Sequence, residues 1–107
     1  MQIVVNGLKW KILNVPRDSE KLLVDGNECF GVTCYVDLVV YMMGDQAKEL
    51  YRQTLIHELC HVYTFSYACH LTADERTEES VCDFFGAYAD KIITHANLIM
   101  EKLFGKG

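Results

Sequence analysis

No stretch of this sequence approaches the ~18 consecutive apolar residues that a membrane-spanning helix needs, and no cluster of lysine and arginine stands along it. With 10 basic against 15 acidic residues and a formal charge of −5, nucleic acid and anionic membrane surfaces are disfavoured as partners. A peptide or protein substrate is easier to accommodate. There is no C-x-x-C pair: Cys29, Cys34, Cys60, Cys69 and Cys82 form an odd, scattered set, which suits reduced thiols better than a disulfide framework or a sulfur metal site. The segment Met1 to Asn6 lacks the basic start and long apolar run of a signal peptide, so the expected location is the cytosol. Repeats and low-complexity tracts are absent. What is present, 107 residues at 50% hydrophobic content, suits a single domain over 1–107 with one core.

The local patterns divide this domain into a β part and an α part. Ile3 to Val5 and Leu8 to Leu13 flank Asn6-Gly7, a dipeptide that tolerates positive φ at both positions and so predicts a tight hairpin. After Asn14-Val15-Pro16, the charged segment Arg17 to Lys21 suits a short helical turn, and Asp25-Gly26-Asn27 marks another turn. Cys29 to Thr33 and the β-branched, aromatic run Tyr35 to Met43 predict two more strands. The expected β part is a small antiparallel sheet. From Asp45 the period becomes helical. Leu50 or Tyr51, Leu55, Leu59, Val62 and Phe65 recur at three- and four-residue steps, predicting a helix over Gln46 to Tyr67 with Asp45 as its cap. Thr72 followed by Glu75 is a capping-box signature for a second long helix. Its apolar positions, among them Tyr88, Ile92 and Ile99, run toward Leu103, and Gly105 would end it.

Within the first helix lies His57-Glu58-Leu59-Cys60-His61, the pattern H-E-x-x-H. Residues four apart share a helix face, so two imidazoles can bind one zinc ion while the carboxylate beside them addresses a metal-bound water. Catalytic zinc usually takes three protein ligands and keeps one position for water. Glu79 and Asp83, in Glu79-Ser80-Val81-Cys82-Asp83, also lie four apart on one helix. Glu79 can be the third ligand, and Asp83 can accept a hydrogen bond from a ligating histidine ring. Glu78 is the rival to Glu79, although its own partner four residues on is Cys82, a poorer orienter. His70 follows His61 by nine residues, but the metzincin pattern needs glycine and histidine where Thr64 and Tyr67 stand.

With H-E-x-x-H at 57–61 and E-x-x-x-D at 79–83, the sequence resembles the gluzincins, the thermolysin-like zinc peptidases. In size and layout it is most similar to the minigluzincins and to the small ImmA/IrrE-type peptidases of phages and mobile elements, some of which act on repressor proteins. The resemblance implies an α+β, minimal zincin-like fold in which a small sheet precedes a zinc-binding helix and a long helix carrying the glutamate ligand. It also implies a zinc metalloendopeptidase in which Glu58 takes the proton of a zinc-bound water and passes it to the leaving amine, with a peptide or protein, a repressor among the options, as substrate. Large gluzincins carry transition-state-stabilising residues on a further domain, which is not expected within these 107 residues, and that leaves Tyr63, Tyr67, Tyr88 and His95 as candidates for that role. The run Tyr35 to Met43 is a candidate rim to which a substrate peptide could add as a strand. The alternative reading is a zinc-binding regulatory or interaction module on a peptidase scaffold, weakly active or autoinhibited.

Overall fold

The computed structural model describes residues 1–67 and 78–105, with the backbone alone described at 78–83 and 86. Strands β1 (Gln2–Val5) and β2 (Leu8–Val15) pair antiparallel in the register Val5 with Leu8 and Ile3 with Trp10. Their turn has Asn6 at φ 49° and Gly7 at φ 78°, the doubly positive geometry whose twist matches a hairpin. Alternate residues point inward, so Ile3, Val5, Trp10 and Ile12 are buried and their neighbours face water.

Beyond β2 the chain makes one 3-10 turn (Glu20–Leu22), capped by Ser19, whose hydroxyl accepts from the Lys21 amide. A separate small hairpin follows, β3 (Leu23–Val24) against β4 (Asn27–Glu28). Strand β5 (Gly31–Cys34) then runs antiparallel to β6 (Val39–Met43), and the main sheet has the order β1-β2-β6-β5.

The sheet is mixed, not antiparallel as expected. Strand β6 lies parallel to β2, with Lys11 opposite Val39 and Val15 opposite Met43. Burial explains the placement. Val39, Val40, Met42 and Met43 are all buried, so β6 is apolar on both faces and belongs in the sheet's interior. The chain therefore lays down β5 as the outer strand and turns back inward. That turn occupies Tyr35 to Leu38, with Leu38 at φ 56°, so the extended run from Tyr35 to Met43 is half turn and half strand.

Helix α1 (Lys48–Ser66) packs Tyr51, Leu55, Leu59 and Val62 into the core with Trp10, Ile12, Val40 and Met42. Asp45 does not cap it. The cap position is Ala47, which makes no side-chain cap bond, while Asp45 stands 3.7 Å from Arg17 on the surface, where such pairs contribute little. Gln46 instead ties the approach to the helix, its amide donating to the carbonyls of Met43 (2.7 Å) and Phe30 (3.2 Å).

Helix α2 (Glu78–Phe104) buries Ile92, Ala96, Ile99 and Met100 in the same core. It runs antiparallel to α1, since Tyr67 meets Tyr88 near one end and Tyr51 meets Phe104 at the other. Gly105, at φ 78°, ends it by donating its amide to the Glu101 carbonyl, as a left-handed terminal glycine does. The capping-box pair Thr72 and Glu75 lies outside the described residues. Among those described, no helix is long and apolar enough to cross a membrane, and Cys29, Cys34 and Cys60 are free thiols.

Candidate metal and catalytic site

Helix α1 turns one side to the sheet and leaves a flank to solvent, and the H-E-x-x-H residues divide between the two. His57 and His61 are exposed, whereas Glu58 is only 6% exposed. The imidazoles stand with ring centroids 5.0 Å apart and planes at 71°, neighbours on one face as the four-residue spacing requires.

Glu58 owes its position to β5. Residues two apart on a strand share a face, and Gly31 and Thr33 both turn toward α1. Gly31 makes the approach possible: a Cβ there would lie 2.8 Å from Thr54 Cγ2, 3.0 Å from Glu58 Cγ and 3.2 Å from Met42 Sδ. The Thr33 hydroxyl donates to Glu58 Oε1 at 2.7 Å, a short bond to a charged acceptor that offsets part of the cost of burying a carboxylate. The other oxygen, Oε2, is 4.0 Å from His57 Nε2. One carboxylate oxygen is thus held by the strand while the other addresses the histidine flank.

The next residue on this face of the chain, Tyr35, reaches His61, its hydroxyl 3.3 Å from Nδ1. Beside the site, Cys29, Phe30, Gly31, Leu50, Gln53, Thr54, His57 and Glu58 line a cleft of about 360 Å³. The cleft runs between the start of β5 and the outer flank of α1, and β5 is an edge of the sheet. Strand β6, by contrast, is paired on both sides and has no edge to offer. The rim strand is therefore β5, not the run Tyr35 to Met43.

Glu79 and Asp83 lie on α2 by their backbone, in its first two turns, and their side chains are outside the described residues, as is all of His70. The part of α2 nearest Ile56 and Cys60 is apolar, with Phe84, Phe85, Ala89, Ile92 and Ile93 forming a shared pocket. Glu79 stands five residues before Phe84, about 7.5 Å farther along the helix axis. Among the described residues no three His, Cys, Asp or Glu side chains come together as a metal cluster, so the described part of the candidate site is the histidine pair with Glu58. Cys60, between the motif residues, has its thiol pKa pushed up by burial and by the nearby Glu58 charge, which favours the neutral form over the thiolate that binds metals.

The four candidates for transition-state stabilisation gather with one another. Tyr63 lies two residues from His61, a spacing that sends the side chains different ways, and its hydroxyl is 2.9 Å from His95 Nδ1. Tyr67 stacks on Tyr63, and Tyr88 packs against both. Burial pushes the Tyr63 pKa up, with the neighbouring Tyr67 adding to it, and burial pushes that of His95 down. This cluster packs across the seam between the helices, where Tyr63 and His95 also line a surface pocket with Asp90, Lys91 and Thr94.

No family model, curated protein or solved structure is matched by the chain.

Sequence reasoning missed Gly31 and Thr33, and named Tyr35 only as the start of the rim run Tyr35 to Met43. Their signal was the two-residue alternation on a strand that precedes the histidine helix, and it acquires meaning only once that strand is known to face Glu58.

Proposed function

We propose that the chain is a zinc-dependent endopeptidase acting on an extended segment of a peptide or protein, with Glu58 as general base. The observation that carries this reading is the split use of Glu58. A carboxylate buried on a helix normally serves packing poorly. Here it lines an open cleft, pinned through one oxygen and turned through the other toward the exposed His57 imidazole.

The donor set fits zinc in two of its positions, His57 and His61, with Glu79 of α2 as the third donor and Asp83 accepting a hydrogen bond from a ligating histidine ring by the gluzincin resemblance. Bound there, zinc would acidify a water toward neutral pH and polarise the scissile carbonyl. Glu58 Oε2 is placed to take a proton from the attacking water and to return it to the departing amine nitrogen. Thr33 keeps Oε1 engaged throughout, so the carboxylate need not reorient between the two transfers. The substrate lies along β5, pairing its backbone with the strand's outer edge. A repressor-like protein offering such a segment is within this class.

The test is incubation of the purified protein with a library of unstructured peptides, with products mapped by mass spectrometry. Cleavage should vanish in excess chelator and return with added zinc. Cleavage that persists undiminished in chelator would count against the reading.

A further inference from the structure

We propose that Tyr35 is the positioning residue of His61, holding the imidazole so that Nε2 faces the metal position. The inference rests on the zinc reading above and extends it to a residue on the β5 to β6 turn.

A histidine that ligates through Nε2 must carry its proton on Nδ1, and the group that receives this proton fixes both the tautomer and the ring's rotation. Tyr35 Oη stands at that nitrogen, 3.3 Å away, on the side of the ring opposite Nε2. A phenolic oxygen can accept a hydrogen bond without carrying charge, so it orients the ring without adding a further anion to the carboxylates assigned to the site.

The hydroxyl is placed by a built support. The Tyr35 ring stacks on Phe65 with centroids 5.0 Å apart and planes at 18°. Phe65 in turn meets Trp10 edge to face at 6.0 Å and 87°, and Trp10 is fully buried, its indole N–H donating to the Ser66 hydroxyl at 2.9 Å. Phe65 follows His61 by one helical turn, so a tyrosine lying flat on it extends along the helix flank and ends at the imidazole. The aromatic stack therefore runs from the centre of the core to His61. It gives Tyr35, 43% exposed on its turn, a packed face that the adjacent Val36, 93% exposed, does not have.

Tyr35→Phe separates the hydroxyl from the stack, because the ring on Phe65 is retained. Zinc affinity is measured by competition with a chromophoric chelator. The histidine ring nitrogens are followed by long-range 1H–15N NMR on the zinc-loaded protein, and thermal melting is followed without metal. The expected result is a zinc Kd raised about 10-fold or more, a His61 Nδ1 proton that exchanges with water faster than in the parent, and an unchanged metal-free melting temperature. A parent that binds zinc and a variant that binds it equally well, with the Nδ1 proton equally protected, would overturn the role of Tyr35 while leaving the zinc reading standing. A parent that takes up no zinc would overturn both.

Discussion

Glu58→Gln is expected to lower kcat by ~10²- to 10⁴-fold, the range that a positioned general base supplies, while the protein still takes up zinc through His57 and His61. Glutamine is nearly the same size, and its amide oxygen can accept the Thr33 hydrogen bond that Glu58 Oε1 accepts at 2.7 Å. The fold therefore has little reason to change. Because the substitution also removes a buried charge, the metal-free variant should melt no lower than the parent. Loss of hydrolysis with zinc retained is the signature of a base. Unchanged biological function in the Glu58→Gln protein would instead favour a zinc-binding interaction module over an enzyme.

The second large effect is expected at Gly31, whose residue type is set by close approach. A valine there would place its Cβ within 2.8 Å of Thr54 Cγ2 and 3.0 Å of Glu58 Cγ, and its two further methyl groups would press into the same contact. Neither neighbour yields freely: Glu58 is tied to Thr33, and the Thr54 hydroxyl leans on Gln46 at 3.4 Å. Strand β5 must move away from α1, at a cost of ~1–3 kcal/mol for overpacking, or a melting point lower by about 4–8 °C per kcal/mol. The displacement also carries Thr33 away from Glu58, so activity should fall beyond what lost stability explains. Gly44→Ala is the control. Its Cβ would meet Asn14 Cβ at 3.4 Å, an ordinary contact, and both effects should be small. Equal melting and activity of Gly31→Val and parent would refute the tight packing of strand on helix described here.

Much of the architecture could be read from local patterns because local physics decides it. Asn6-Gly7 specifies its turn through positive φ, Gly105 ends α2 for the same reason, and the three- and four-residue steps from Tyr51 to Val62 mark the buried side of α1. The parallel pairing of β2 with β6 has no such local origin. It follows from which strand must be covered on both faces, a comparison between distant segments, and the clue was the unbroken apolar run Val39 to Met43 where an edge strand would alternate. The Asp45 cap failed because α1 begins later than the pattern implied, with Ala47 at the cap position, while Gln46 satisfies the nearby carbonyls. The site divides in the same way. His57, Glu58 and His61 are legible because one helix sets their spacing, whereas Thr33 and Tyr35 reach Glu58 and His61 across the gap between sheet and helix, where a sequence carries no spacing rule.

Zinc content tests the central claim most directly. Elemental mass spectrometry on the purified protein, beside His57→Ala, should find about one zinc per chain in the parent and a large loss in the variant, since one imidazole of the pair is gone. A parent that holds no zinc even after the ion is added back would contradict the account and leave the histidines as surface residues of a small α+β domain.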